Sequence, residues 1–206
     1  ETKRAVAAAG RNCVVVVGDV AKPSDAENVI HETVNALDGL DILVHSAGGP
    51  AFGTIDKCEP ELWHSAFDVH VHAAYYLCRA ALPVMRKAGE GAIVLVSSVA
   101  GIRGVPGAIA YATVKGALLQ FTRSLARDVA DDNIRVNCIA PGIIRTRFHQ
   151  AMTSEAKAHN LANRIPLHRE GTPEDVAHAV RVLVENEFIT GETLVVDGGM
   201  SMQVTR

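Results

Sequence analysis

The sequence predicts an α/β fold, a doubly wound parallel sheet in three layers, and three observations carry that prediction. Short apolar runs alternate with longer stretches of helical periodicity along the chain. The runs are β-branched and nearly continuous rather than alternating with polar residues, which is how strands covered on both faces read. Of 206 residues, 48% are hydrophobic and 21% charged, enough apolar mass for a core that needs no disulfide or metal.

In chain order, ETKRAVAAAG reads as the end of a helix, with Arg4 towards its C-terminus and Gly10 just beyond it. Cys13–Val17 is the first predicted strand. Pro23 and the pairing of Ser24 with Glu27 predict a capping box; Ala26, Ile30, Val34 and Leu37 then recur at helical spacing, and Gly39 closes the segment. Asp41–Val44 follows as a strand, and Pro60 opens a long helix through Leu62, Phe67 and Leu77, with Pro83 near its end. Ala92–Val96 is the third strand, and a helix from about Tyr111 to Val129 lays Leu118, Phe121, Leu125 and Val129 along one stripe. After the strand Ile134–Ala140, residues 147–169 are irregular, polar and rich in His and Asn, as expected of a substrate lid. Thr172, Pro173 and Asp175 start a helix carrying Val176, Val180 and Leu183, and Thr193–Val196 is the last strand. No linker or repeat interrupts the pattern, so residues 1–206 read as one domain.

Several classes of function fall away. A formal charge of −3 gives no basic field for nucleic acid or an anionic membrane surface. The longest apolar runs, such as Val14–Val17, are far too short to span a bilayer. The four cysteines (Cys13, Cys58, Cys78, Cys138) lack metal-type spacing, so no metal is expected, and Cys13 and Cys138 read as small core residues. With no secretion signal, a cytoplasmic setting is expected.

In open parallel sheets, ligands bind beyond the carboxyl ends of the strands. Those ends carry Gly18-Asp19-Val20, then Ser46-Ala47-Gly48-Gly49, then Ser97-Ser98, then Pro141-Gly142 with Ile144 and Thr146, and finally Asp197-Gly198-Gly199. Tyr111 and Lys115 stand one helical turn apart, on one face. An ammonium beside a phenol favours the phenolate, and Ser98 can hydrogen-bond the same substrate oxygen, so the three together suit proton exchange with an alcohol or carbonyl.

Ser98, the YATVK segment holding Tyr111 and Lys115, Pro141-Gly142 and the ITGETLVVDGG ending resemble the short-chain dehydrogenases/reductases, in the style of 3-oxoacyl carrier-protein reductases and glucose dehydrogenases. The resemblance implies a Rossmann-like sheet, NAD or NADP as cofactor, and hydride transfer between that cofactor and an alcohol/carbonyl pair. It implies that Tyr111 is the acid/base, that Lys115 lowers its pKa and holds the nicotinamide ribose, and that Ser98 orients the substrate oxygen. By the same resemblance Asp19 and Val20 meet the adenine, Ser46, Ala47 and Gly48 let the backbone pass close to the cofactor, and Pro141, Gly142, Ile144 and Thr146 hold the nicotinamide end. Val99, Ile102 and the lid would line the substrate pocket. A homo-oligomer, tetramer or dimer, is implied, with Tyr75, Tyr76, Leu118 and Met200 as candidate contacts.

The sequence departs from the family pattern in two places. His70 stands where the family has an Asn in a proton relay to the lysine, and as an imidazole it is expected to titrate near pH 6.5. His70 and His72, two residues apart on a helix, do not face one another as a metal pair would. The family's opening β-α-β unit, on the order of 30–40 residues with a glycine-rich pyrophosphate turn, has no counterpart in the sequence, so Cys13–Val17 is expected to lack a neighbour and Asp41–Val44 to form an edge. The alternative function is a catalytically silent member of the same fold that does not bind the dinucleotide and serves as a binding or assembly subunit.

Overall fold

Four of the five predicted runs pair as strands. In the computed structural model, which describes residues 2–149 and 152–202, they are β1 (Ile42–His45), β2 (Gly91–Val96), β3 (Ile134–Pro141) and β4 (Thr193–Val196). They lie side by side in chain order, and every neighbouring pair is parallel. Parallel neighbours need crossovers, and the helices supply them. The helices are α1 (Thr2–Ala8), α2 (Pro23–Leu37), α3 (Pro60–Phe67), α4 (Ala73–Ala88), α5 (Ile109–Val129), α6 (Ser154–His159) and α7 (Pro173–Glu185).

Both sheet faces are covered, which is why β2 and β3 are apolar almost throughout. On one face Leu43, Ile93, Leu95, Val136 and Cys138 pack with Leu77 and Met85 of α4, Leu118 and Val129 of α5, and Ala26 and Ile30 of α2. On the other, Val94 and Ile139 pack with Leu183 of α7, flanked by Val176 and Val180. Thr172 begins α7 with the expected capping box, its hydroxyl accepting from the Asp175 N–H while the Asp175 carboxylate accepts from the Thr172 N–H.

Several expectations need correction. Cys13–Val17 forms no strand: Val15 is 61% and Val17 91% exposed, because no neighbouring strand receives their backbone groups. Cys13 is accordingly only half-buried, unlike Cys138. The edge falls at β1, as expected, where Leu43 and His45 point inward and Ile42 and Val44 lie exposed. Helix α2 is capped by the Lys22 backbone with Pro23 in its first turn; Ser24 makes no cap and bonds to Asp25. The helix opening at Pro60 continues through a π-helical turn at Asp68–His72 into α4, and Pro83 lies inside α4 near its end at Ala88. Leu118 and Met200 are buried within the chain and so cannot form subunit contacts, whereas Tyr75 is 45% exposed.

Candidate active site

The ends of β2 and β3 and the first turns of α5 surround a cavity of about 660 Å³. Ser98 leaves β2 in extended conformation, and its Oγ accepts a hydrogen bond from the Ala100 N–H at 3.2 Å, capping the short turn Val99–Gly101. That turn lies directly on α5. A Cβ at Gly101 would fall 2.6 Å from the Lys115 carbonyl carbon, and the Ser97 hydroxyl donates to the Lys115 carbonyl oxygen at 2.7 Å. Only glycine permits this approach. It sets Ser98 and Tyr111 on the wall of the same cavity.

Lys115 is 6% exposed, and its Nζ donates to the Val96 carbonyl at 2.7 Å, 5.7 Å from the Tyr111 ring centroid. Burial lowers its pKa to about 8. Burial also raises the Tyr111 pKa above the usual phenol value, opposed by the Ser98 hydrogen bond. The net direction is opposite to the one expected from Lys115 alone, because desolvation of the phenolate dominates. Tyr111 is therefore a neutral phenol at neutral pH, a ready proton donor.

The π-helical turn at Asp68–His72 turns His70 inward and leaves His72 on the surface, where its Nδ1 meets Asp68 at 2.9 Å. His70 is 2% exposed, and its ring stands edge-on to Tyr111 at 5.9 Å between centroids. Its Nε2 lies 3.0 Å from the Gly49 carbonyl and 3.4 Å from the Gly49 N–H, donating to the one or accepting from the other according to the tautomer, while buried Nδ1 has no partner among the described residues. Burial first, and the Lys115 ammonium second, lower its pKa to about 4. The expectation of titration near 6.5 is thereby corrected: His70 is neutral at physiological pH. Gly48 makes room for it, since a Cβ there would fall 2.2 Å from His70 Cε1.

Of the sequence-predicted residues, the cavity gathers Ser46, Gly48, His70, Ser98, Tyr111, Lys115, Pro141, Gly142, Ile144 and Thr146. Ala47 is not in its wall, and neither are Asp19 and Val20. The Asp19 carboxylate is occupied locally, accepting from the Ala21 N–H at 3.1 Å, and Val20 packs against the main core beside α2. Val99 lines the wall as expected, with Val105, whereas Ile102 is 44% exposed and outside it. From the lid stretch come Phe148, His149, Met152, Asn160 and Arg164, while Gln150 and Ala151 lie outside the described residues.

Sequence reasoning missed His45 and the aromatic walls. His45 ends β1 at 2% exposure, and burial first and Lys115 second lower its pKa to about 4. Its Nε2 has no partner among the described residues. The signal was its place two residues after Leu43, on the same face of the strand. Phe52 and Phe148 flank Tyr111 at 6.2 and 5.7 Å.

Comparison with known proteins gives the same picture. A family model described as Enoyl-(Acyl carrier protein) reductase matches residues 1–201. The rabbit (Oryctolagus cuniculus) dehydrogenase/reductase SDR family member 4 is 37% identical over 203 residues, spanning 95% of this chain and 78% of its own. A 3-oxoacyl-(acyl-carrier-protein) reductase of Chlamydia muridarum is 37% identical over 185 residues, 89% of this chain and 74% of the relative. Among solved structures, a gluconate 5-dehydrogenase from Burkholderia cenocepacia in complex with NADP and tartrate superposes with a TM-score of 0.92 at 28% identity, covering 98% of this chain and 81% of that one. ElxO with NADP bound gives a TM-score of 0.85 at 31% identity, over 90% of this chain and 77% of that one.

Proposed function

The chain belongs to the short-chain dehydrogenase/reductase family of NAD(P)-dependent oxidoreductases, and from that premise we propose that it interconverts an alcohol and a ketone or aldehyde, with Tyr111 as the acid/base. The observation that carries the reading is the convergence of Ser98, Tyr111 and Lys115 on one cavity wall, an arrangement that packing alone does not demand.

The residues present fit the nicotinamide half of the cofactor. Lys115 uses one of its three N–H donors on Val96, leaving two for ribose hydroxyls, and Pro141, Gly142, Ile144 and Thr146 would hold the nicotinamide. No turn of G-x-G-x-x-G spacing leads from a strand into a helix among the described residues, so nothing is assigned to the pyrophosphate. When bound, the nicotinamide supplies or accepts the hydride. Ser98 holds the substrate oxygen by a hydrogen bond, and Tyr111 passes its phenolic proton to that oxygen as negative charge builds there. The nearby Lys115 ammonium stabilises the phenolate left behind. Neutral His70 holds the Ser46–Gly49 turn through Gly49, with its ring edge-on to Tyr111. Phe52 and Phe148 shield the reacting oxygen from water.

The same reading carries a cytoplasmic homo-oligomer, dimer or tetramer, with Tyr75 at a subunit contact and residues 147–169 closing over the substrate of a single domain. Among the described residues, no helix is long and apolar enough to cross a membrane. His70, standing where the family resemblance implies an Asn, favours a second reading, a silent member that keeps the fold as a binding or assembly subunit. Titrating the full chain with NADH and NADPH while following nicotinamide fluorescence separates the two. Saturable binding weakened by Lys115→Ala is expected; no binding of either overturns the oxidoreductase reading in favour of the second.

A further inference from the structure

We infer that the substrate is a carbonyl compound bearing an anionic group, a carboxylate or a phosphate, which Arg103 and Arg164 hold while the carbonyl lies against Tyr111 and Ser98. The inference rests on the oxidoreductase reading above and names its substrate class.

The reaction cavity does not end at the catalytic residues. A second cavity of about 940 Å³ shares Val99, Val105, Arg164 and Met200 with it, so the two adjoin. The first is walled largely by apolar groups; the second adds Arg103 and His159. Neither has an Asp or Glu in its wall, although the chain holds 23 acidic residues against 20 Lys and Arg. A wall that excludes the commoner sign of charge and presents two guanidiniums attracts anions.

The two arginines also differ from others in the chain. Arg86, Arg145, Arg169 and Arg181 each reach a carboxylate, at 2.7, 3.4, 2.7 and 2.6 Å. Arg103 and Arg164 have no such partner among the described residues, yet both are half-buried. Each is held by one neutral contact: Arg103 Nη1 donates to the Met200 carbonyl at 2.5 Å, and Arg164 Nη1 to Asn160 Oδ1 at 2.9 Å. One arm of each fork is thereby fixed and the remaining donors are unspent, which is the preorganisation a bidentate anion contact needs. Half-burial without a counter-charge is unfavourable, and an anionic ligand relieves it.

The position separates this anion from the cofactor's phosphates. Pro141, Gly142, Ile144 and Thr146, which would hold the nicotinamide, line the first cavity only. Arg103 stands on the loop after Ser98, and Arg164 ends the π-helical turn Asn160–Arg164, so both arise on the side of the lid. A linear ketone with a terminal anion, its chain along Val99, Val105 and Met200, matches both ends.

The test uses the full chain with NADH and NADPH and a matched set of linear ketones: an ω-carboxylate, its methyl ester and the ω-phosphate of the same length. At least one anionic ketone is expected to exceed the ester in kcat/KM by about tenfold or more, the worth of a charge-assisted hydrogen bond. Arg164→Gln and Arg103→Gln are each expected to remove about tenfold of that advantage through KM, read as the ratio of anion to ester within each variant. The better of carboxylate and phosphate identifies the anion. Equal use of ester and both anions overturns the inference, as does an equal loss on all three in the variants. If no ketone is reduced, the oxidoreductase reading fails separately, and calorimetry with a non-reducible alkyl carboxylate against its amide decides the anion site. Preference for the carboxylate, weakened by Arg164→Gln, supports it; equal binding of the two overturns it.

Discussion

Acid stability reports directly on the buried histidine pair. His45 and His70 are each 2% exposed, and burial lowers each pKa to about 4 against an ordinary 6.5. The folded-state value is the lower one, so the unfolded chain binds these protons first as pH falls. Stability is unaffected well above pH 6.5, falls through the window between 6.5 and 4, and levels off below it. Each histidine costs about 2 kcal/mol between pH 7 and pH 5, so the pair costs about 4, a large part of a typical domain's stability. Urea unfolding of the wild type, of His45→Asn and of His70→Asn at closely spaced pH values between 4 and 8 measures the slope. Each variant shifts the absolute stability through packing, but each is expected to lose about one proton of slope, and the double variant about two. A double variant as steep as the wild type between pH 6 and 4 would refute the assignment of neutral, buried imidazoles at both positions.

Two further outcomes follow from the same geometry. The folded-state pKa of Lys115 lies near 8 against 10.5, so its buried charge destabilises the fold below pH 8, and that penalty fades as pH rises towards 10.5. Lys115→Met is expected to raise neutral-pH stability by about 3 kcal/mol while abolishing turnover, with the stability gap closing in melts above pH 10. Gly48→Ala places a Cβ 2.2 Å from His70 Cε1 at a φ of +151°, so it is expected to cost about 1–3 kcal/mol in urea unfolding and to displace His70 in a crystal structure of the variant.

Most of the fold was legible because four apolar runs meet neighbours that pair with them. Cys13–Val17 is as apolar and β-branched as the rest and still forms no strand, since strand formation depends on a partner and not on the run alone. Ser98, Tyr111 and Lys115 were legible because a strand end and a single helical turn fix where they lie. Their electrostatics were not: spacing places Lys115 beside Tyr111, but only the fold shows that its ammonium points to Val96 and that burial dominates the phenol. Asp19, expected at the adenine, lies on the turn before α2 and not in this cavity's wall. Arg103 and Arg164 escaped notice for a different reason. They stand 61 residues apart in sequence, and only tertiary packing sets them on one acid-free wall.

The central claim is proton transfer by Tyr111 during nicotinamide-linked carbonyl reduction. It is tested most directly by following the absorbance of NADH and NADPH with the full chain and a panel of ketones and aldehydes, beside Tyr111→Phe. The account predicts that the wild type consumes the reduced nicotinamide. The variant should keep its fold and its nicotinamide binding but turn over about 10²–10⁴-fold more slowly, the range of general acid catalysis. Undiminished consumption by Tyr111→Phe, or none by the wild type with any carbonyl, would contradict it.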